Sequence, residues 1–209
     1  MAGKRTTAIG RGTGFGLSRI PRVKGSRYPK AQSGAFAPST VGGRTTHPPR
    51  SEKRIYKRIN KKERRFAIRS AIAATADKSI VASRGHIVDT VPTLPFIVVD
   101  AIQEIFRTSE AKLVFEKLGL FPDLLRVKNT RKIRAGKGTT RGRKRRHGVG
   151  PLIVVDADKG IRKAMSNFTG VDVVNVDRIN TELLAPGTSL GRLTVWSYSA
   201  IKKLGTRFP

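Results

Sequence analysis

Cysteine is absent from all 209 residues, which excludes disulfides and thiolate metal sites and fits a reducing compartment. Acidic residues are scarce: 14 Asp+Glu stand against 43 Lys+Arg, a formal net charge of +29. Apolar residues make up 38% of the chain and aromatics 6%, below the roughly 45–50% apolar share of ordinary globular sequences. No apolar run approaches the ~20 residues of a membrane span. Residues 1–10 carry no hydrophobic signal-peptide core. A cytoplasmic location with no membrane partner is the expectation.

The positive charge that remains is segregated. Residues 1–70 hold 19 Lys+Arg and only Glu52 and Glu63, while residues 126–150 hold 11 basic residues and no acid. Between and after them the charges nearly balance. Segregation of this kind costs stability through self-repulsion unless a polyanion neutralises it, and nucleic acid is the usual polyanion.

Residues 1–50 contain nine Gly and five Pro, and their apolar residues keep neither a helical nor a strand period. The segment reads as an extended arm that orders on a partner, reaching on the order of 80 Å if doubled back with about 25 residues a side. Residues 51–75 read as a basic helix joining arm to body, capped by Ser51 and starting at Lys53. Its expected apolar stripe is Ile55, Ile59, Phe66 and Ile72, with Tyr56 nearby. Residues 76–209 read as a globular body with a basic loop at 128–150.

Within the body a short helix is expected from Asp77, broken at Arg84-Gly85-His86. Residues 94–99 fit a strand or the start of a helix. A helix capped by Thr108 or Ser109 runs to about Leu118, with one further turn at 123–127. Apolar runs at 152–155, 171–176 and 193–196 read as strands, and Ser197 as the N-cap of a helix to about Leu204. Strands alternating with capped helical segments imply an α/β fold: a small, mostly parallel sheet flanked by helices, with a long extended basic N-terminal arm and a second basic loop.

In residues 131–151 the glycines let backbones approach closely, while arginines can fork onto phosphates. Nine of the sixteen residues 131–146 are basic. Polyanion contact is assigned to Arg131, Arg134, Lys137, Arg141, Arg143, Lys144, Arg145, Arg146 and His147. Gly136-Lys137-Gly138 only superficially resembles a nucleotide phosphate loop, because Gly138 follows the lysine where Ser or Thr is required and the strand comes after the loop. The glycines at 10–16 follow no strand. Phe15, Tyr28 and Phe36, set among Arg and Gly, suit stacking on unpaired bases.

His47, His86 and His147 fall in loops with no evident pair, so no metal cluster or nucleophile–base pair is visible. Asp156 and Asp158 follow a strand, where a helix-capping turn is the commoner meaning. Trp196 reads as core. No cofactor, metal or small-molecule substrate is expected. The alternative, an RNA-modifying or nucleotide-using enzyme with basic gripping arms, lacks a nucleophile, base or cofactor loop at strand ends.

Three long motifs in order resemble the archaeal/eukaryotic form of the large-subunit ribosomal protein four family. They are Ile-Pro-Arg-Val-Lys-Gly-Ser-Arg-Tyr-Pro-Lys at 20–30 with Gly-Gly-Arg-Thr-Thr-His-Pro-Pro-Arg at 42–50; Ile-Arg-Ala-Gly-Lys-Gly at 133–138 with Gly-Pro-Leu-Ile-Val-Val at 150–155; and Leu-Ala-Pro-Gly-Thr at 184–188 with Gly-Arg-Leu-Thr-Val-Trp at 191–196. The resemblance implies a non-enzymatic constituent of the large subunit, one copy per ribosome, bound to large-subunit rRNA and neighbouring ribosomal proteins. Its loop then helps line the nascent-peptide exit tunnel, with Arg22, Lys24, Arg27, Tyr28 and Lys30 nearest the lumen in a tip at about 19–34. Arg11, Arg19, Arg44, His47, Arg50, Lys53, Arg54, Lys57, Arg58 and Lys61 fall to rRNA on either side. Members usually carry some fifty further residues ahead of this loop. Here the sequence begins inside the ascending arm, so either its start is placed late or the body is built without that edge.

Overall fold

The computed structural model describes residues 4–207. These form two compact units that divide between Arg58 and Ile59.

In the first unit a helical turn, α1 (Lys4–Thr7), leads into β1 (Ala8–Gly10), which pairs antiparallel with β2 (Pro21–Val23) in the register Ala8↔Val23 to Gly10↔Pro21. On its other side β2 meets the returning chain. Val23 N–H donates to Ser33 O at 3.0 Å, Gln32 N–H to Val23 O at 3.1 Å, and Ala35 N–H to Pro21 O at 2.7 Å. A segment without hydrophobic period thus forms a narrow ribbon through backbone hydrogen bonds, with Ala37 its buried apolar residue.

In the second unit α2 runs Lys61–Ala74, not from Lys53, and its N-cap is Asn60 rather than Ser51. Across residues 53–62 like charges stand four apart (Lys53 and Lys57, Arg54 and Arg58, Lys57 and Lys61), which destabilises a helix having no apolar face to pack. Of the expected stripe only Ile72 packs against the core, and the rest is corrected. Ile55, Tyr56, Ile59 and Phe66 are exposed, and the buried face is Ile68, Ala71 and Ala74. Residues 68, 71 and 72 lie one helical turn apart, whereas Phe66 points about 160° away from Ile68.

The body is a four-stranded parallel sheet in the order β3 (Phe96–Val98), β8 (Thr194–Ser197), β6 (Leu152–Val155), β7 (Asp172–Asn175). Residues 94–99 therefore resolve as a strand, followed by a 3-10 turn at Asp100–Glu104. β6 and β8 are buried at every position, as continuous apolar runs in parallel sheets require. Their alternating side chains feed two cores. Ile153, Val155, Val195 and Phe96 pack beneath α3 (Lys78–Ser83), α4 (Thr108–Lys117), α5 (Phe121–Asn129) and α6 (Ile161–Met165). Leu152, Val154 and Trp196 pack against α2, α7 (Thr181–Leu184) and α8 (Tyr198–Arg207). Trp196 is core, as expected.

Local signals account for the helix ends. The Asp77 carboxylate accepts from Ser79 N–H at 2.8 Å at the start of α3. Ser197 Oγ accepts from Ala200 N–H at 3.3 Å and caps α8. Asp158 accepts from Gly160 and Arg162 N–H at 3.0 and 3.3 Å ahead of α6, the turn anticipated for that motif. Thr108 lies inside α4, whose N-cap is Arg107.

Candidate nucleic-acid interface

In the first unit three candidate side chains, Arg11, Arg22 and Phe36, are partly buried and the others are exposed. Arg22 is partly buried, and its guanidinium donates to Gln32 O at 3.0 Å and Ser18 Oγ at 2.8 Å. It closes the turn that follows β2. Lys24, Arg27, Tyr28 and Lys30 sit on that turn with exposed side chains. Tyr28 donates its hydroxyl to Lys24 O, and Gln32 Nε2 donates to Gly25 O at 2.9 Å. The Arg11 guanidinium stacks over Phe15 at 5.3 Å and that of Arg44 over Phe36 at 6.0 Å. Arg19, His47, Arg50, Lys53, Arg54, Lys57 and Arg58 are exposed.

In the second unit Lys61 is exposed at the start of α2, with Lys62, Arg64, Arg65 and Arg69 around it. The second basic segment is a hairpin: β4 (Lys132–Ile133) pairs with β5 (Arg145–Arg146), placing Lys132 opposite Arg146. Like charges facing each other across a ladder are destabilising, so this hairpin is built at an electrostatic cost that an external polyanion would relieve. Arg134 closes it, donating Nε–H to Arg143 O at 3.1 Å and N–H to Lys144 O at 2.8 Å. Arg131, Lys137, Arg141, Arg143, Lys144, Arg145, Arg146 and His147 are exposed. Gly136–Gly138 turn within the hairpin and open no helix, which rules out a phosphate loop of the strand-to-helix type.

Sequence reasoning missed what anchors the hairpin. His86 has a partner after all: it is 5% exposed, and its Nδ1 lies 3.0 Å from Asp123 Oδ2. Asp123, fully buried, also accepts from Ile87 N–H at 3.0 Å and Arg126 Nε–H at 2.8 Å. Arg126 Nη2 then donates to Val149 O at 2.9 Å, and Thr130 Oγ1 accepts from Gly148 N–H at 2.8 Å, clamping the hairpin's exit.

A second anchor is Arg192, 2% exposed. It donates Nε–H to Gly150 O at 2.9 Å and Nη1 to Leu183 O at 2.9 Å. Its Nη2 reaches Asp172 Oδ2 at 2.6 Å and Gly170 O at 3.3 Å. Gly170 (φ +77°) and Gly150 cross so closely that a Cβ on Gly150 would sit 2.9 Å from Gly170 O. Partners 37 and 42 residues apart in sequence leave no local signal.

Burial acts to raise the Asp123 pKa. Hydrogen bonds from His86 and Arg126, the His86 charge and the Ile87 N–H outweigh it, so the net shift is downward. A carboxylate with a lowered folded-state pKa contributes its stability in full above its unfolded value of about 4 and loses it as pH falls through the folded value. Asp123→Asn is expected to cost about 2 kcal/mol at pH 7, the loss of charge-assisted hydrogen bonds. In urea unfolding the gap from the parent chain closes as pH drops below about 4. An equal gap at pH 7 and pH 3 would refute this.

Parallel sheets carry ligand crevices at the carboxyl ends of their strands. Here that edge is occupied by internal contacts. Asp100 accepts from Ser199 N–H at 2.9 Å and Oγ at 2.7 Å, and these bonds lower its pKa. Asp156 and Asp177 pair with Lys203 at 3.0 and 2.7 Å. Asp100 and Asp177 are thus held ionised by hydrogen-bond donors, the reverse of the raised pKa a general acid needs. Among the described residues no group of three His, Cys, Asp or Glu can hold a metal, and no helix is long and apolar enough to cross a membrane.

A parallel α/β body whose strand-end carboxylates Asp100, Asp156 and Asp177 are bonded within the fold, and whose charge is carried on a ribbon, a helix and a hairpin, defines an α/β protein with polycationic appendages. The chain belongs to the ribosomal protein L4/L1 family, whose model matches residues 2–207. It is 51% identical over 208 residues to the large ribosomal subunit protein uL4 of Methanosphaera stadtmanae, covering 100% of this chain and 78% of that protein. The uL4 of Pyrobaculum aerophilum is 51% identical over 204 residues (97% and 71%), and that of Methanopyrus kandleri 46% over 206 residues (99% and 79%). The family is one of structural proteins, not of enzymes.

Proposed function

We propose that this chain is a structural constituent of the large ribosomal subunit. It binds large-subunit rRNA, contacts neighbouring ribosomal proteins, and acts on the ribosome in the cytoplasm. The family match across nearly the whole chain carries the reading. Charge supports it: among the described residues, none of the candidate lysines and arginines of either basic segment forms an ion pair with a carboxylate. The charge is left for an external polyanion. Each phosphate neutralised releases counterions, giving a log–log salt slope of roughly −0.7 to −0.9 per contact. Recognition then follows the shape of folded RNA.

In this assignment residues 1–50 are the rRNA-penetrating arm, residues 51–75 join it to the body, and the hairpin grips rRNA from the body. The turn at 24–32 is placed at the exit tunnel, with Lys24, Arg27, Tyr28 and Lys30 toward the nascent chain and Arg22 holding the turn closed. Deleting residues 19–34 should leave incorporation into large subunits near parental levels in a sedimentation profile, while late maturation slows. Complete loss of the deleted chain from the subunit peak would overturn this division of labour. Failure of the intact chain to co-sediment with large subunits would overturn the function itself.

A further inference from the structure

We propose that the cleft bounded by Arg84, Arg126 and His86, at the foot of the basic hairpin, is a phosphate-binding site. The cleft has a volume of about 700 Å³ and is completed by Ser83, Ser189 and the Gly148 backbone. Its central residue is Arg84, which no sequence pattern singles out.

The guanidinium of Arg84 is partly buried and donates to the carbonyls of Pro186 at 2.8 Å and of Ser189, with Leu190 O at 3.4 Å. Carbonyl oxygens satisfy N–H groups but cancel no charge. Among the described residues no carboxylate lies within ion-pair distance of Arg84, in contrast to Arg126 and Arg192, which pair with Asp123 and Asp172. Burial, and then the charges of Arg192 and Arg126, push the Arg84 pKa down, so its surroundings are cationic on balance. Asp123, the carboxylate bonded to two of the residues that line the cleft, is shared between His86 and Arg126. A desolvated cation without a counter-charge is costly, and a partly desolvated one carries a share of that penalty. An oxyanion seated among these groups offsets that cost and can accept from the Arg84 Nε–H, which takes no part in the three carbonyl bonds.

The carbonyl clamp is also a positioning device. It fixes the Arg84 head against the 186–190 loop, while Arg126 is tied to Val149 at the hairpin exit. A phosphate bound between them is held by both sides of the cleft. The proposal extends the rRNA reading and rests on it only for the source of the phosphate, which is either an RNA backbone diester or free inorganic phosphate.

The test uses the parent chain and two variants. Arg84→Gln removes the charge. Ser83→Asp places a carboxylate at the rim and leaves the carbonyl clamp in place, so a folding defect in the first variant does not decide the outcome. Proton–nitrogen NMR follows the Arg84 Nε–H and the His86 ring during titration with inorganic phosphate at constant ionic strength, with chloride as control. The expected result is a saturable shift with phosphate alone, lost in Arg84→Gln and needing at least tenfold more phosphate in Ser83→Asp. Affinity for large-subunit rRNA falls about tenfold in each variant, and the salt slope of Arg84→Gln becomes shallower by roughly 0.7–0.9. If phosphate gives no shift beyond chloride, and rRNA binds all three chains with equal affinity and slope, the site is refuted while the ribosomal reading stands. If phosphate shifts the signals but rRNA binds none of the chains, the site stands with free phosphate as its ligand and the ribosomal reading falls.

Discussion

Replacing Arg141, Arg143, Lys144, Arg145 and Arg146 together by serine is expected to lower affinity for large-subunit rRNA on the order of a thousandfold at near-physiological salt. Five charge-assisted phosphate contacts at about 1 kcal/mol each combine to that size. The same substitutions should flatten the dependence of log affinity on log salt by roughly 3.5 to 4.5 units, the counterions of five contacts. All five side chains are exposed and form no ion pair among the described residues. The folded body therefore loses nothing that they stabilise. The ladder places Lys132 against Arg146 and Ile133 against Arg145, so removing charge there relieves repulsion. Thermal stability without RNA should hold or rise, most visibly at low salt. Filter binding across a salt series and a melting curve separate the two effects. A variant that binds with the parental slope would show that the hairpin does not touch phosphate.

Arg192→Leu should have the opposite profile: a large loss of stability with all surface charge retained. The Arg192 side chain is enclosed and serves three carbonyls, Gly150, Leu183 and Gly170, in addition to Asp172. Leucine leaves these acceptors without their donors, and breaking a largely buried charged network of this kind costs about 3–5 kcal/mol. For a chain of this size the midpoint should fall by roughly 10 °C or more. Asp172 is half exposed, so solvent screens its share of the pair, and Asp172→Asn should cost under about 1 kcal/mol. Arg192→Lys should recover little, because one ammonium cannot reach carbonyls on three separate segments. If Arg192→Leu melts within about 1 kcal/mol of the parent chain, the residue is no keystone. Because the Gly150 carbonyl lies just beyond the hairpin, the variant should also bind rRNA less well at temperatures where the body remains folded.

These two experiments divide the basic residues into outward and inward sets, a division that composition does not reveal. Arg145 and Arg192 are the same residue type, each in or beside a short strand. One faces solvent on a two-residue ladder, and the other lies beneath three backbone segments that meet at the amino ends of the parallel strands. Arg22 and Lys24 differ in the same way although only Val23 separates them.

The elements that were legible share a property: their signal lies within a few consecutive residues. The apolar runs of β6, β7 and β8, the Asp158 turn, the break at Gly85 and the Ser197 cap all depend on neighbours in sequence. α2 failed that test at its start. A stripe drawn from Ile55 through Phe66 assumed one continuous helix, but helix formation there requires a packed face, and the packed face begins only at Ile68. Phe66 looked like core because it is aromatic, and it is exposed because its azimuth on α2 opposes the sheet. His86 appeared solitary because Asp123 lies on another helix, 37 positions on.

Taken alone, the amino-acid order determined the α/β class, the parallel strands of the central sheet and the separation of two cationic stretches from a nearly neutral body. These follow from short-range patterning and from charge, neither of which needs a partner to be recognised. Which cations are spent inside the molecule, where Arg84 is left without a counter-charge, and how Arg126 and Arg192 pin the hairpin were decided only by tertiary structure. Desolvation and hydrogen-bond satisfaction depend on which distant segments meet, and proximity in space has no trace in the local spacing of residues.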